Sequence, residues 1–380
     1  MQRSFDVIVV GAGAMGSAAL YQLARRGVRV AGFDRFTPPH AHGSTHGRSR
    51  IIREAYYEHP LYVPLVQRAY ELWDELARAW EGEAPLFRRT GGVMLGPSNG
   101  VLVAGARRSA HAHRLPHEEL TARELSGRFP AFALPEDMVA LLEPRAGVLD
   151  PEQCVAAQLT LAARAGADLR LGEPVVRWRA GADGVSITTA ERSYAAGRLV
   201  VATGAWTPAL LPGLPMALRV ERQVMHWFRP VADPARFAPE RCPIAMVEYA
   251  PERLFYTIPD AGAGVKAAIH HEGEATTPEA VRRAVTEADV APVRALLRRF
   301  LPLANGALLD SATCLYTNTP DGHFLIDTHP EHSRVLVVSA CSGHGFKFAS
   351  VIGEIVADLA TGARPRFDPA PFGLARQGGG

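Results

Sequence analysis

The stretch FDVIVVGAGAMGSAALYQLARRGVRVAGFD, residues 5–34, decides the fold of this chain. Its apolar, β-branched run at positions 7–10 predicts a buried parallel strand. Gly11, Gly13 and Gly16 follow at G-x-G-x-x-G spacing, and a helical pattern comes next. The first glycine permits a tight turn, the second lets the backbone approach a pyrophosphate, and the third lets the helix pack closely on the strand. Because a helix N-terminus also offers unpaired N–H groups to phosphates, the stretch predicts a dinucleotide site.

The dinucleotide pattern continues into a second strand. Gly27 is a natural helix C-cap, residues 28–33 predict the strand, and Asp34 ends it, eighteen residues after Gly16. An acid at this place binds a ribose hydroxyl and would repel a 2′-phosphate. The order of strand, glycines, helix, strand and acid distinguishes this motif from an ordinary glycine-rich turn. NAD and FAD both remain open at this point.

The composition indicates a soluble globular protein. The 380 residues are 47% hydrophobic, which is enough for a large core and about two domains. The net charge is +2 and no long basic run is interleaved with aromatic residues, so we expect no nucleic-acid partner. No signal-peptide pattern precedes the first strand, and no apolar run approaches the roughly 20 residues of a membrane span, so we expect a cytoplasmic protein without a membrane partner. Four scattered cysteines without a C-x-x-C pair predict neither disulfides nor a metal site: Cys154, Cys242, Cys314 and Cys341.

Only two of the 41 Lys and Arg residues are lysines, Lys266 and Lys347. A general preference for Arg explains the other cations, because either residue serves on most surfaces. Lys differs in having a compact ammonium whose pKa shifts readily on burial, whereas Arg is planar and always charged. Unless they survive by drift, the two lysines mark sites where a guanidinium would not fit or function.

A long segment at residues 35–65 follows the dinucleotide motif and is dense in Pro, Gly, His and Arg. Long ordered loops are usually functional. Because the segment places Ser44, Arg48, Arg50 and Arg53 close behind the glycines, we expect a negatively charged ligand here. Solvated loop arginines are the alternative.

The rest of the chain predicts an α/β protein with an α+β second domain. A β-branched strand at residues 199–201 ends in small residues up to Gly204, which allow a ligand near the backbone, and this second piece favours FAD over NAD. We predict a Rossmann-like FAD-binding domain from residues 1–84, 146–215 and 320–380, and an antiparallel-sheet substrate domain from 85–145 and 216–319. The expected helices cover residues 62–80, 118–129, 152–165, 277–300 and 348–359, and the expected strands of the second domain cover 222–228, 245–249, 254–259 and 265–270.

Three strings of sequence form a specific family pattern. They are GSTHGRSRIIREAY at residues 43–56, TCLYTNTPDGHFLIDTHPEH at 313–332 and SGHGFKF at 342–348. With the N-terminal motif they span nearly the whole chain in order, and they resemble the monomeric sarcosine oxidase family, which includes N-methyltryptophan oxidase. The resemblance implies a monomeric two-domain flavoprotein with FAD attached through a cysteine thioether. It also implies oxidation of a secondary amino acid by O2, for sarcosine giving glycine, formaldehyde and H2O2.

The resemblance also assigns roles to single residues. It places the covalent flavin link at Cys314, whereas Cys341 matches no flavin-bearing cysteine and Cys154 and Cys242 are interpreted as structural. Arg53 and Lys347 match the pair that binds the substrate carboxylate, where Arg binds bidentately and Lys adds a point charge. Lys266 matches the lysine near flavin N5 that speeds reduction of O2, because a fixed cation stabilises the negative charge that develops there.

Further positions follow from the same resemblance. Arg50 matches an arginine stacked on the flavin, His270 a histidine near the substrate amine, and Tyr256 an aromatic residue of the pocket. The helix after position 348 would direct its positive end at the reduced flavin. We expect pocket contacts from Gln223 and Met246, and the full set of predicted cofactor residues is Gly11, Gly13, Gly16, Asp34, Ser44, Arg50, Val176, Gly204, Cys314, Gly343, Gly345 and Lys347.

Two positions depart from the family pattern. Arg48 stands where Asp is typical and Tyr57 where Gly is typical, so we expect a changed size or polarity of the site entrance. The preferred substrate therefore stays open between an N-methyl amino acid such as sarcosine and another amine, such as proline, pipecolate or a bulkier N-methyl amino acid. An NAD-dependent dehydrogenase and a non-enzymatic nucleotide-binding sensor are the rival classes, and fold alone does not exclude them.

Overall fold

The computed structural model describes residues 4–82 and 84–376. The α-helices in these residues are α1 (Ala14–Ala24), α2 (Tyr62–Ala79), α3 (Val101–His113), α4 (Ala122–Arg128), α5 (Pro151–Arg164), α6 (Thr207–Leu210), α7 (Glu287–Phe300) and α8 (Ala349–Thr361). The strands are β1 (Ser4–Val10), β2 (Val30–Asp34), β3 (Arg50–Ile52), β4 (Phe87–Arg89), β5 (Gly92–Gly96), β6 (Glu118–Thr121), β7 (Val139–Glu143), β8 (Gly147–Leu149), β9 (Asp168–Leu171), β10 (Arg177–Gly181), β11 (Gly184–Thr188), β12 (Ser193–Val201), β13 (Arg219–Phe228), β14 (Ile244–Ala250), β15 (Arg253–Ile258), β16 (Val265–His270), β17 (Leu308–Asn318), β18 (Leu325–His329) and β19 (His332–Ser339).

The N-terminal strand lies inside the first large sheet. This sheet has the order β10-β11-β12-β1-β2-β9, and β19 joins it beside the end of β12. The pairs β1–β2, β1–β12, β2–β9 and β12–β19 are parallel. The apolar run Val7–Val10 is buried, as its sequence predicts, because strands of a parallel sheet are covered on both faces. Helices α1, α5 and α8 pack together on this sheet.

The carboxyl ends of the parallel strands meet at one edge of the first sheet. Gly11, Asp34, Ala202 and Ala340 stand there, at or just after the ends of β1, β2, β12 and β19. All four line one cavity. Ligands of doubly wound sheets bind at this edge, so the fold itself determines where the cofactor site lies.

The second large sheet has the order β17-β13-β16-β15-β14-β5-β7-β6. Every pair in it is antiparallel except β14–β5. Helix α7 packs on this sheet through Val290, Val293 and Leu297, which join a buried apolar cluster with Phe228 and Phe255. The predicted α/β class with an antiparallel second sheet is confirmed.

Two predicted helices begin later than the sequence pattern indicates. Residues 118–121 form β6, and α4 starts only after Thr121, whose side chain makes a capping box with Glu124. Likewise α7 begins after Thr286, in a capping box with Asp289, and residues 277–286 form no helix. In both places the cap, rather than the apolar spacing, determines the start of the helix.

The strands of the first sheet come from three separate parts of the chain. They lie at residues 4–34, 168–201 and 325–339, while the second sheet uses 92–143 and 219–318. A small sheet of β3, β8 and β4 stands apart from both. The domain boundaries after residues 84, 145, 215 and 319 stay predictions.

Candidate active site

An elongated cavity of about 480 Å³ is lined by residues of both large sheets. Most of the residues that the sequence predicts for the site lie on its wall. These are Gly11, Gly13, Asp34, Ser44, Arg50, Arg53, Val176, Gly204, Gln223, Met246, Tyr256, His270, Cys314, Gly343, Gly345 and Lys347. Gly16 and Lys266 do not line the cavity, and both lie one layer behind its wall.

The glycine turn after β1 forms one end of the cavity. Gly11 has a φ of 92°, and a Cβ on it would stand 2.4 Å from Ala202 O. A Cβ on Gly16 would stand 1.7 Å from Gly11 O, so this glycine lets α1 lie directly against the turn. Gly13 caps α1 without a side-chain hydrogen bond, an arrangement that leaves helix N–H groups for a phosphate. The turn therefore fits the pyrophosphate of FAD.

Asp34 completes the dinucleotide end of the cavity. Its Oδ2 accepts a hydrogen bond from Ala12 N at 2.8 Å, and its Oδ1 accepts one from Phe36 N at 2.8 Å. The carboxylate thus holds the glycine turn against the end of β2 while it lines the cavity. Val176 lies at the rim of this end, where it is 63% exposed.

At the cavity wall, Cys314 meets two residues that lie about 270 positions earlier in the chain, Ser44 and Arg50. Cys314 on β17 is buried, and its Sγ lies 3.7 Å from Arg50 Nη2 and 3.6 Å from Ser44 O. Arg50 donates to Ser44 O at 2.7 Å, and Ser44 Oγ donates to Leu315 O at 2.5 Å. The thiol is therefore held at the cavity wall beside a guanidinium, a position suited to a cysteine that joins the flavin ring.

Two cations occupy the far end of the cavity. Arg53 is 1% exposed and donates from Nη2 to both carboxylate oxygens of Glu58, at 2.7 and 2.8 Å. Lys347 donates to His344 O at 2.6 Å and to Tyr56 Oη at 3.3 Å. The ring of Tyr56 lies 4.2 Å from the Arg53 guanidinium carbon, so this phenol contacts both cations. The predicted carboxylate-binding pair is thus assembled at one place.

Burial changes the proton affinity of these charged groups. Burial first, and the nearby Arg53 guanidinium second, lower the pKa of Lys347 to about 7. Burial opposes the charge of Glu58, but Arg53 beside it holds the pKa of that carboxyl below its usual value. The Arg53–Glu58 pair stays ionised, whereas Lys347 changes its charge near neutral pH.

Neutral polar side chains also line the cavity. His270 Nδ1 lies 3.2 Å from Tyr316 Oη, and burial lowers the pKa of His270, which keeps its imidazole uncharged. Burial raises the pKa of Tyr256 to about 12, so its phenol also stays neutral. Gln223 and Met246 complete this part of the wall.

Lys266 on β16 is 2% exposed, and its ammonium is held by backbone oxygens. Its Nζ donates to Gly47 O at 2.8 Å and to Ser49 O at 2.9 Å. Burial, followed by the nearby Arg50 charge, lowers the pKa of Lys266 well below its usual value. Ser49 lines the cavity, so the ammonium lies directly behind the wall that Ser49 and Arg50 form.

Neither of the two departures from the family pattern, Arg48 and Tyr57, lines the cavity, and their effect on its entrance stays a prediction. Arg48 pairs with Asp310 at 2.5 Å, and both side chains are largely exposed. The ring centroid of Tyr57 lies 4.9 Å from the guanidinium carbon of Arg53, so this phenol packs against Arg53. The backbone oxygen of Tyr57 stands 2.4 Å from where a Cβ of Gly105 would be.

The other cysteines differ in their surroundings. Cys341 lines the cavity and accepts a hydrogen bond from Thr317 N at 3.4 Å. Cys154 and Cys242 are buried, and burial raises the pKa of each thiol, as expected for structural residues. Among the described residues no group of three or more His, Cys, Asp or Glu side chains could hold a metal ion. No helix in the same part of the chain is long and apolar enough to cross a membrane.

Sequence reasoning missed three residues of the site: Glu58, Tyr316 and His344. Tyr316 stands two residues after Cys314 on β17, so strand alternation could have placed both on one face. His344 lies inside the SGHGFKF string but was given no role, and its Nδ1 lies 2.5 Å from Tyr56 Oη. Glu58 had no local signal, because only the folded loop brings its carboxylate to Arg53.

Comparison with known proteins shows the family of this chain. A family model described as FAD dependent oxidoreductase matches residues 6–359, which defines the class of the protein. A monomeric sarcosine oxidase of Streptomyces avermitilis is 46% identical over 99% of this chain and 100% of its own length. An N-methyl-L-tryptophan oxidase of Salmonella typhimurium is 39% identical over 98% of this chain and 99% of its own. The chain belongs to this family of FAD-dependent oxidoreductases, the monomeric sarcosine oxidases and N-methyltryptophan oxidases, and is an FAD-dependent amine oxidase.

Solved structures share the fold. NikD, an unusual amino acid oxidase essential for nikkomycin biosynthesis, superposes with a TM-score of 0.84 at 28% identity and full coverage of both chains. A glycine oxidase from Geobacillus kaustophilus superposes with a TM-score of 0.83 at 24% identity, over 99% of this chain and 100% of its own. The second comparison supports the fold alone.

Proposed function

We propose that the protein oxidises the secondary amine of an N-methyl amino acid such as sarcosine, with O2 as electron acceptor. The balanced reaction is sarcosine + O2 + H2O → glycine + formaldehyde + H2O2. The observation that carries the proposal is the pair of buried cations, Arg53 and Lys347, in the same cavity as Cys314. A buried carboxylate needs such paired charge, and the relatives named sarcosine oxidase and N-methyl-L-tryptophan oxidase support this substrate class.

The protein's own contribution is to bind and orient the substrate. FAD, when bound, accepts the two electrons of the substrate C–H bond and passes them to O2. Arg53 binds the substrate carboxylate through its planar fork, and Lys347 adds a point charge from the other side. Because both cations hold the carboxylate end, the amine end is directed toward His270 and Tyr256. These two neutral side chains can contact an amine without adding charge.

Cofactor attachment is the second part of the proposal. We infer that Cys314 would hold the flavin ring through a thioether, while the turn at Gly11 and Gly13 would bind the pyrophosphate. The C–S bond would replace the thiol S–H bond and one C–H bond of the ring, and O2 would take up the two electrons and two protons as H2O2. Support comes from the position of Cys314 Sγ on the cavity wall, 3.7 Å from Arg50 Nη2. Arg50 lies where a guanidinium can contact the flavin. The N-terminus of α8 follows Phe348, and Phe346 and Lys347 just before it line the cavity, so a helix dipole can favour negative charge there.

The third part of the proposal concerns Lys266 and the reaction with O2. We infer that its buried ammonium speeds the transfer of electrons to O2, because a fixed positive charge stabilises the anion that forms during that step. Lys266→Met should slow reoxidation of the reduced enzyme while reduction by substrate stays near the wild-type rate. Stopped-flow spectroscopy measures the two half-reactions separately. Lys347→Met is the matched control, because it removes the only other lysine and should slow reduction instead.

A substrate panel in an oxygen electrode tests the reaction. Sarcosine, N-methyl-L-tryptophan, L-proline and L-pipecolate are supplied in turn, and O2 uptake, H2O2 and formaldehyde are measured. We expect uptake with sarcosine and one formaldehyde for each H2O2. Turnover of the cyclic amines without formaldehyde would favour the alternative of another secondary amine. A protein that binds FAD but consumes no O2 with any amine would reject the oxidase proposal.

We propose further that the protein is a cytoplasmic monomer, in keeping with the relatives named monomeric. The mass of the chain is 41.0 kDa. Light scattering after gel filtration should therefore give a single species of that mass plus one FAD. A mass near twice that value would contradict the monomer.

A further inference from the structure

The ammonium of Lys266 is held by one short turn, and this turn has an unusual backbone. Gly47 has a φ of 101° and Arg48 a φ of 64°, and Ser49 N donates to Gly47 O at 2.8 Å. A left-handed conformation is uncommon for a non-glycine residue such as Arg48. The turn gives its carbonyl oxygens to Lys266, so the position of the ammonium depends on whatever stabilises this conformation.

Glu152 binds the other side of the same turn. Its Oε1 accepts from Gly47 N at 2.7 Å and from Arg48 N at 3.1 Å, and its Oε2 lies 3.2 Å from Arg48 N. Two successive N–H groups therefore point at one carboxylate, while the carbonyls of Gly47 and Ser49 point at Lys266. The peptide dipoles of the turn are aligned between a negative and a positive group.

Glu152 is not needed to cap helix α5. Asp150 already caps the helix by accepting from Gln153 N at 2.9 Å, and Pro151 is the first helical residue. Glu152 contacts residues more than 100 positions earlier in the chain, and it belongs to the first turn of a rigid helix. Its carboxylate is therefore a fixed support for the loop at residues 47–49.

We propose that Glu152 is the positioning residue for Lys266: it fixes the turn at residues 47–49 and faces the lysine with a negative charge across it. The proposal deepens the role inferred for Lys266 above and depends on that role only for its catalytic consequence. The arrangement itself does not depend on the reaction: the turn at residues 47–49 lies between the Glu152 carboxylate and the Lys266 ammonium, and it contacts both.

The charges around Lys266 indicate what loss of Glu152 should do. Burial lowers the pKa of Lys266 most, and Arg50 on β3 and Arg48 in the turn act in the same direction. Cys314 on β17 and Glu152 on α5 act in the opposite direction. His46 also faces this group, but burial lowers its own pKa to about 3, so it is neutral. Without Glu152, less negative charge counters the effect of Arg50 and Arg48 on the Lys266 pKa, so Lys266 should lose its proton at lower pH.

The small number of lysines makes a direct measurement possible. Protein grown with [ε-13C]lysine contains only two labelled side chains, Lys266 and Lys347, and Lys266→Met assigns their NMR signals. Titration of the oxidised holoenzyme then gives the protonation midpoint of Lys266 without any turnover. We expect Glu152→Gln to lower this midpoint by about one pH unit, a tenfold change in proton affinity.

Two further variants complete the experiment. Glu152→Ala removes the hydrogen-bond acceptor as well, so it should also displace the Lys266 signal at acidic pH, because the turn relaxes. Glu287→Gln removes an exposed acid from the first turn of α7 and should change neither signal. If the Ala variant does not fold, the Gln variant decides. An unchanged Lys266 midpoint in Glu152→Gln and Glu152→Ala would overturn the proposal.

Reoxidation kinetics separate this proposal from the role of Lys266 itself. If Lys266 acts on O2, Glu152→Gln should slow reoxidation several-fold and shift its pH profile in the same direction as the NMR midpoint. If Lys266→Met reoxidises normally, the oxygen role fails, while a shifted NMR midpoint in Glu152→Gln still supports the positioning role. The two failures therefore give different results.

Discussion

Arg53 and Glu58 form an ion pair in which a single guanidinium nitrogen, Arg53 Nη2, lies 2.7 and 2.8 Å from the two carboxylate oxygens. Glu58 lines the cavity, so the site proposed to bind a substrate carboxylate already contains a carboxylate. A substrate must therefore share Arg53 with Glu58 or replace it. This relationship makes Glu58 a determinant of substrate affinity.

Replacing Glu58 should strengthen binding of simple carboxylates. In Glu58→Gln the guanidinium has no competing anion, and we expect acetate to bind about tenfold more tightly, roughly 1.4 kcal/mol. Because the ligand-free variant leaves a buried cation unpaired, its melting temperature should fall and recover with acetate. Perturbation of the flavin spectrum gives the affinity. Glu54→Gln is the matched control, a buried acid that pairs with Arg145 instead, and equal affinity in both variants would contradict the competition.

Substrate binding should weaken as the pH rises through about 7. Burial lowers the pKa of Lys347 to about 7, so below this pH the free enzyme presents an ammonium to the carboxylate, and above it a neutral amine. An anionic ligand binds the protonated form better, and its dissociation constant should therefore rise with pH above about 7. The affinity of acetate measured from pH 5.5 to 9 in wild type and Lys347→Met tests this. Equal pH profiles for the two proteins would be inconsistent with a titrating Lys347.

Covalent attachment should require Cys314 and not Cys341. Both thiols line the cavity, but only Cys314 lies beside Arg50. Cys314→Ala should release its flavin on acid precipitation, because the remaining contacts at Gly11 and Asp34 are non-covalent. Cys341→Ala should retain yellow colour in the precipitate, and retention by Cys314→Ala would refute the assignment.

Gly16→Ala should damage both stability and cofactor binding. The new Cβ would stand 1.7 Å from Gly11 O, so α1 must move away from the turn. We expect a loss of roughly 1–3 kcal/mol in the free energy of unfolding, as for other overpacked sites, and little bound FAD. Gly127→Ala in α4 is the control: no atom lies within 4 Å of its new Cβ, and it should stabilise by about 0.5–1 kcal/mol. Urea unfolding and the flavin-to-protein absorbance ratio measure both effects.

The local features of the site were predictable from the sequence. The strand and glycine turn at residues 7–16 and the acid at Asp34 follow from spacing, because neighbours in the chain determine turns and strand ends. Lys266 and Lys347 were candidate functional residues because they are the only two lysines of the chain. The family pattern placed Cys314 at the cofactor site, and in the structure Cys314 lines the cavity.

Apolar spacing alone misplaced the start of one helix. The helix expected over residues 277–300 begins only at Glu287, because a capping box at Thr286 outweighs the apolar spacing before it. The side chains of Arg48 and Tyr57 contact Asp310 and Arg53, and neither residue lines the cavity, so their effect on the site entrance stays a prediction.

The sequence by itself determined the dinucleotide turn, since this turn depends on residues within one short stretch, whereas the preference for FAD over NAD came from the strand that ends at Gly204 and from the family pattern. Only the tertiary structure decided which charges meet. Glu58 reaches Arg53 through the fold of the short segment between them, and Glu152 in the first turn of α5 reaches the turn that holds Lys266, more than 100 residues earlier in the chain. Charge pairing acts across space and leaves no spacing pattern in the chain, which is why these partners appear only in the fold.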